Sequence, residues 1–202
     1  MYCVKSERVV EDIIKKSRFI GVIAPCASEA DALHQLKRLH DEHPNASHIV
    51  YAYRIKTDHG LIYRFHDAGE PTGTAGKPIF QYIDGKELVN LLIAVIRYFG
   101  GIKLGAGGLT RAYGNTAKQA IEAAEIGVYI EWANIRLTLD YQQLQPLEYL
   151  LKKLDGRIVQ QDFAEQVRLI VQLPAEQVST LLQSFPDSIR VATDSQTKRC
   201  NL

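Results

Sequence analysis

The sequence has little net charge and few cysteines, and each shortage excludes a class of protein. Its 202 residues include 24 Lys and Arg and 23 Asp and Glu, giving a formal net charge of +1. There is thus no global basic signature of the kind that marks many nucleic-acid-binding proteins, and any basic surface must be local. The three cysteines are odd in number and form no Cys-x-x-Cys pair. This pattern predicts a reducing compartment and no disulfide framework.

Long hydrophobic runs are lacking as well. No segment approaches the roughly 18–20 consecutive apolar residues of a membrane-spanning helix. The first twelve residues carry charges where a signal peptide has its apolar core. We therefore expect a cytoplasmic protein with no membrane partner. With 46% hydrophobic and 23% charged residues, the composition is that of an ordinary globular protein.

Several catalytic and cofactor motifs are also missing. The glycine-rich segment Gly100–Gly108 lacks the Gly-Lys-Ser/Thr of a P-loop, and Thr110 stands where a dinucleotide fingerprint has its third glycine. There is no Gly-x-Ser-x-Gly elbow, and the six histidines form no set with metal-ligand spacing. We therefore predict no metal and no cofactor, and we lean against an enzyme.

Acidic residues are missing from one long stretch that is otherwise informative. Between Glu87 and Glu122 there is no Asp or Glu, while four basic residues and six of the 14 glycines fall there. Leu88–Phe99 is apolar nearly throughout, which predicts a central strand covered on both faces, although its first half would also suit a helix. From Leu109 to Ala124 apolar residues recur at helical spacing. A glycine-rich basic turn before a helix can hold an anion, but from spacing alone a tight, closely packed turn is an equally good interpretation.

The rest of the chain predicts two α+β domains. The first contains a hairpin (8–14 and 18–24), a helix capped by Ser28, a second hairpin (48–55 and 61–66) and a short helix after the Gly/Pro-rich loop. Residues 127–133 are expected to form a short strand or connector. The remaining pattern is βαββαβ, which is the ferredoxin-like arrangement. Its elements are predicted at Ile135–Tyr141, Gln142–Leu154, Arg157–Phe163, Val167–Leu173, Ala175–Phe185 and Ser188–Ala192. We place the boundary near Ala133, giving domains 1–133 and 134–202.

Two segments resemble a known protein family. GEPTGTAGKP (Gly69–Pro78) and RYFGGIKLGAGGLTRAYG (Arg97–Gly114) are similar to the signature of the YigZ/IMPACT family. The resemblance covers the first domain in detail, and the second matches in length and pattern. One departure is that the family usually has two aspartates before Gly-Glu-Pro, where this chain has Asp67-Ala68.

The resemblance implies a fold and a general function. The first domain would share the βαβ fold of a small-subunit ribosomal protein and of the fourth domain of elongation factor G. The second would be ferredoxin-like, similar to the last domain of that factor. Eukaryotic relatives regulate translation by binding the activator of a stress kinase. We therefore expect a translation-linked binding or regulatory protein whose partner is RNA or the ribosome, with a regulatory protein as a further candidate partner.

The expected binding residues lie at the glycine-rich turn. Tyr98 and Tyr113 could stack on bases, although half-buried core positions suit both at least as well. At least one of Gly107 and Gly108 is expected to need a positive φ or the absence of a Cβ. The expected phosphate contacts are Lys77, Arg97, Lys103 and Arg111, with the backbone of Gly100, Gly101, Gly105, Gly107 and Gly108.

The acidic loop before the turn allows two other functions. Asp67 and Glu70 are expected to order the loop, with Glu70 paired to Lys77 or Arg97 in a solvated setting. The alternative is an enzyme or sensor for a small phosphorylated ligand, with Asp67 or Glu70 as the acid–base group. A deep, enclosed pocket would favour that alternative, and an open basic face continuous with the sheet of the second domain would favour RNA. A protein-binding adaptor is the third candidate.

Overall fold

The computed structural model describes residues 1–185 and, for the backbone alone, Thr193–Cys200. The chain divides into two compact units, with the division after Tyr129. Both units combine helices with antiparallel strands, which confirms the predicted α+β fold class. The first unit contains β1 (Tyr2–Val4), β2 (Arg8–Ile14), β3 (Ser17–Pro25), α1 (Glu29–Glu42), β4 (His48–Thr57), β5 (Gly60–His66), α2 (Gly76–Gly85), β6 (Leu91–Tyr98), α3 (Ala106–Ala123) and the start of β7 (Ile126–Leu139).

Local sequence signals explain several of these elements. Lys15 and Lys16 have φ values of 45° and 64°. A pair of left-handed residues is the pattern of a type I′ turn, and it joins β2 to β3 as predicted. α1 begins with a capping box, in which the Ser28 hydroxyl accepts from the backbone of Asp31 and the Asp31 carboxylate accepts from the backbone of Ser28. The predicted cap is therefore confirmed.

The sheet of the first unit has the order β2-β3-β6-β4-β5 and is antiparallel at each pairing. β6 lies at its centre, and its side chains alternate between two apolar cores. Leu91, Ile93 and Val95 pack beneath α2 and α3, and the residues between them pack against α1. The apolar run therefore forms a strand covered on both faces, as predicted.

Beyond β7 the second unit contains α4 (Tyr141–Lys153), β8 (Arg157–Phe163), β9 (Val167–Pro174), a 3-10 turn (Ala175–Gln177), α5 (Val178–Ser184) and β10 (Thr193–Cys200). Its strands have the order β8-β9-β7-β10. Its connections follow the ferredoxin-like βαββαβ pattern that the spacing predicts. Its core places the inward side chains of β7 and β9 against Leu147, Leu151 and Leu181 of the helices. The strand predicted at Ser188–Ala192 lies outside the described residues.

β7 is longer than the sequence pattern predicts. Residues 127–133 were expected to be a connector or a separate short strand, yet Ile126–Leu139 is a single strand of 14 residues. Its first residues pair with β1, and Trp132–Leu139 pair with β9. Both halves are extended because each half has a partner strand that satisfies its backbone hydrogen bonds.

The described cysteines and helices bear on what the composition predicts. Cys3 is disulfide-bonded, whereas the cysteine pattern predicts a reducing compartment and no disulfide framework. Cys26 is free and buried, and burial, together with the nearby Asp31 charge, raises the pKa of its thiol to about 12. Among the residues that the structure describes, no helix has both the length and the apolar character needed to cross a bilayer.

Candidate functional site

The glycine-rich turn between β6 and α3 needs glycine for two different reasons. A Cβ on Gly100 would lie 2.0 Å from the carbonyl carbon and oxygen of Lys16, so the turn packs against the β2–β3 hairpin only without a side chain. Gly105 precedes α3 with φ +73°, a backbone conformation that favours glycine. The turn is therefore shaped by close approach at one end and a left-handed backbone at the other.

Two alternative conditions were predicted for Gly107 or Gly108, a positive φ or the absence of a Cβ, and the first is not met. Both lie within the first turn of α3, and neither is among the residues with positive φ. A Cβ on Gly107 would meet nothing within 4 Å, whereas one on Gly108 would lie 3.1 Å from the Leu104 Cβ. The firm requirements for glycine therefore fall earlier in the turn.

A buried carboxylate joins three segments beside the turn. Glu70 belongs to the loop before α2, and its Oε1 accepts a hydrogen bond from Arg97 Nη1 at 2.5 Å and from the Tyr113 hydroxyl at 2.8 Å. Glu70 and Arg97 are only 8% and 5% exposed. The structure therefore contains the expected pair with Arg97, but the pair is buried rather than solvated. Lys77 is exposed on α2 and makes no ion pair with Glu70.

Arg97 is held between aromatic rings. Its Cζ lies 5.5 Å from the centre of the Phe19 ring and 5.4 Å from that of Phe99, within the range of cation–π attraction. Its Nη2 lies 3.4 Å from Ser17 Oγ, which also accepts from the backbone N–H of Gly100. The Nε atom is buried and has no hydrogen-bond partner among the described residues. The guanidinium is thus fixed in place while its Nε–H group has no partner among the described residues.

Asp67 ties the same loop to the start of α2. Its carboxylate accepts from the backbone N–H groups of Gly73, Ala75 and Gly76 at 2.8, 3.1 and 2.8 Å. Burial disfavours the charged form of Asp67, but these three donors outweigh it, and the pKa lies below its usual value. Asp67 therefore remains ionised at neutral pH and supplies the cap that Ala75, at the N-cap position, does not.

His48 completes the cluster, and sequence reasoning did not identify it. Its Nδ1 lies 2.9 Å from the carbonyl oxygen of Ala68. A carbonyl only accepts, so Nδ1 carries a proton. Its Nε2 lies 3.8 Å from Glu70 Oε1. In the part of the chain that the structure describes, no group of three or more His, Cys, Asp or Glu residues could hold a metal ion.

An open groove of about 400 Å³ lies against this cluster. The end of α3 that faces it has no acidic residue in its first turn and no side-chain cap from the described residues. Unsatisfied N–H groups give such a helix end a partial positive charge. Lys103 adds an exposed ammonium group on the groove wall. The residues that matter for its chemistry are His48, Glu70, Arg97, Phe99, Lys103 and Gly105.

The structure brings some of the predicted binding residues together and separates others. Arg97, Lys103 and Gly105 line the groove, and Gly100 and Gly101 belong to the turn that shapes it. The other predicted cations, Lys77 and Arg111, are exposed on α2 and α3 but do not line it.

Neither tyrosine proposed for stacking faces the groove. Tyr113 is fully buried, and burial together with the Glu70 hydrogen bond raises the pKa of its phenol far above the usual value. Tyr98 packs against the α1 side of the sheet, where its hydroxyl lies 2.9 Å from Nδ1 of His43. Tyr113 therefore offers no ring face to a ligand, and Tyr98 lies on the opposite side of the sheet from Arg97.

Phe99 is the aromatic residue that lines the groove, and the sequence held a signal for it. Its side chain is 49% exposed. Successive side chains of a strand point to opposite faces, so residues two apart, such as Arg97 and Phe99, share a face. The intervening Tyr98 points the other way.

Comparisons with known proteins agree with the two-unit fold. The Impact N-terminal domain family matches residues 15–121, and a domain of unknown function (DUF1949) matches residues 137–187. A solved structure described as that of a hypothetical protein superposes with a TM-score of 0.65 at 32% identity, covering 96% of this chain and 97% of that one.

Two curated relatives match over most of their length. An IMPACT family member of Haemophilus influenzae is 40% identical over 168 residues, which is 83% of this chain and 82% of the relative. IMPACT family member YigZ of Escherichia coli is 37% identical over 183 residues, which is 90% of this chain and 89% of the relative. The matches span both units and include the turn and groove described above, and so this chain belongs to the IMPACT family.

Proposed function

We propose that this chain is a translation-linked binding protein that holds RNA phosphate groups in the groove at the start of α3. The link to translation rests on family membership and on the roles that the resemblance implies for eukaryotic relatives. The observation that carries the RNA contact is the uncapped N-terminus of α3 next to Lys103. Backbone N–H groups and a lysine are a recurrent combination for phosphate oxygens.

The charge balance of the groove supports an anionic ligand. Glu70 neutralises Arg97, so that pair contributes little net field. Among the described residues, Lys103 and the first N–H groups of α3 then carry the positive charge of the wall that no acidic side chain neutralises. The sequence around them contains no carboxylate from residue 88 to residue 121.

The shape and the chemistry of the groove both favour a binder over an enzyme. It is open to solvent rather than enclosed, which suits a polymer passing across the surface better than a small sequestered metabolite. Glu70 is occupied by Arg97 and Tyr113, and Asp67 by three backbone donors. Both carboxylates are therefore engaged in structural hydrogen bonds and are poorly placed to exchange protons with a substrate.

Charge reversal at Lys103 tests the proposal. We expect Lys103→Glu to weaken binding of a single-stranded RNA oligonucleotide about tenfold or more. We also expect it to lower the slope of log affinity against log salt by about one, because one phosphate contact is lost. Lys118→Glu is the matched control, since it makes the same charge change on the exposed face near the other end of α3. Fluorescence anisotropy between about 50 and 200 mM salt measures both effects.

The same titrations can contradict the proposal. Equal losses for Lys103→Glu and Lys118→Glu would show that general charge, and not the groove, attracts RNA. If the wild-type affinity for RNA does not change with salt, no phosphate contact contributes to it. That result would contradict the proposal and favour the adaptor alternative. Thermal unfolding should be nearly the same for both variants, because both side chains are exposed.

A further inference from the structure

We propose that the groove accepts one nucleotide unit of single-stranded RNA, with the base stacked on Phe99 and the phosphate at Lys103 and the start of α3. This inference rests on the proposed function, and it specifies the part of the RNA that the groove would bind. The stacking residue is then Phe99, and not Tyr98 or Tyr113 as the sequence predicted.

Phe99 has the exposure that a stacking platform needs. Its side chain is 49% exposed and lines the groove, although large aromatic side chains are usually more buried. Its backbone N–H donates to Ser47 Oγ at 3.0 Å, which fixes the chain immediately after β6. Part of the ring surface therefore remains available at a defined position.

The position of the Phe99 ring is also stabilised by Arg97. Arg97 lies between Phe99 and Phe19, with its Cζ 5.4 and 5.5 Å from the two ring centres. Arg97 is in turn fixed by Glu70 at 2.5 Å. A ring that is already ordered loses little conformational freedom when a base stacks on it. The buried ion pair thus helps to position Phe99.

Aromatic and anion-binding features meet in this one groove. Phe99 and Lys103 both line it, together with Gly105 and Ala106 at the start of α3. Arg97, more than nine-tenths buried and with its Nε unpaired among the described residues, is a further polar group on the wall. Base stacking beside a basic backbone contact is the usual means of binding single strands without sequence preference. A groove of about 400 Å³ lies within the size range of small-ligand sites.

The experiment compares two probes of equal length and charge, an eight-nucleotide oligoadenylate and the same backbone without bases. We expect Phe99→Leu to weaken oligoadenylate binding about tenfold and to leave binding of the abasic probe unchanged, because only stacking is lost. Phe99→Tyr should bind both probes like the wild type. Tyr63→Leu, which removes an exposed aromatic side chain outside the groove, is the control and should have no effect.

The outcomes separate this inference from the proposed function. If Lys103→Glu weakens both probes while Phe99→Leu weakens neither, the phosphate site stands and the stacking role is overturned. If Phe99→Leu weakens both probes equally, the ring supports the fold of the groove and does not contact bases. If the wild type binds neither probe, the proposed function and this inference fail together.

Discussion

Glu70 lies in a surface loop, yet its contacts are with residues far along the chain. It bonds Arg97 of β6 and Tyr113 of α3, which are 27 and 43 residues away in sequence. Taking both charges out of water is costly, and their attraction offsets that cost only while the pair is intact. The carboxylate is thus a structural link between the loop, the central strand and α3.

We expect Glu70→Gln to lower the free energy of unfolding by about 3 kcal/mol, because it leaves the buried Arg97 without a counter-charge. Urea unfolding followed by circular dichroism measures the change. Glu122→Gln is the control. It removes an exposed partner of Lys118 at 3.7 Å and should cost less than about 1 kcal/mol.

Equal stability of these two variants would show that the Glu70–Arg97 pair adds nothing to the fold. The enzyme alternative would instead be supported by turnover of a phosphorylated metabolite, provided that Glu70→Gln abolishes the turnover without changing the affinity for that metabolite.

At the residue scale, the sequence predicts partners of opposite charge better than it predicts burial. The pairing of Glu70 with Arg97 could be anticipated because both lie in the two signature segments and have opposite charges. The burial of that pair and of Tyr113 depends on how α3 packs on the sheet, which no local pattern encodes. The opposite orientations of Tyr98 and Phe99 could have been inferred from strand alternation alone.

At the scale of elements, signals contained within a few residues are reliable. The Lys15–Lys16 turn and the Ser28 cap form where the sequence predicts them. β6 (Leu91–Tyr98) forms within the apolar run Leu88–Phe99, although the first three residues of that run lie outside the strand. The length of β7 was missed because its first half is extended only by virtue of pairing with β1, more than 120 residues earlier in the chain. The need for Gly100 was missed for the same reason, since it arises from contact with Lys16.

We expect Gly100→Ala to destabilise the first unit by about 3 kcal/mol, because its Cβ would overlap the backbone of Lys16 and Ser17. Gly107→Ala should instead be neutral or stabilise by about 0.5 kcal/mol, since alanine favours a helix and its Cβ would meet open space. Thermal unfolding of the two variants provides the comparison. Similar destabilisation by both would mean that the turn responds to any added methyl group, and that the packing against the hairpin is not decisive.

At the scale of the whole molecule, we propose that the two units are domains that fold independently. The compact units divide after Tyr129, close to the boundary predicted near Ala133. The pairing of β7 with β1 ends at Val128, and its pairing with β9 begins at Trp132. We therefore place the junction between the two domains within β7.

Limited proteolysis tests this division. We expect chymotrypsin to cut first after Tyr129 or Trp132 and a glutamate-specific protease to cut first after Glu131. Mass spectrometry should then find two fragments that resist further digestion, because each retains its own core. Digestion of the whole chain with no such intermediate would show that the two units are not independent.

The position of β6 also affects how the chain is made. In the sheet order β2-β3-β6-β4-β5, the central strand is the last of the five to be synthesised. Each flanking hairpin can close within microseconds of leaving the ribosome, whereas the chain up to β6 takes on the order of seconds to follow. During that interval the β2–β3 and β4–β5 hairpins remain separate, each with an uncovered apolar face, because β6 is the strand that joins them. We therefore expect the nascent first unit to expose apolar surface, of the kind that chaperones bind, until Tyr98 has emerged.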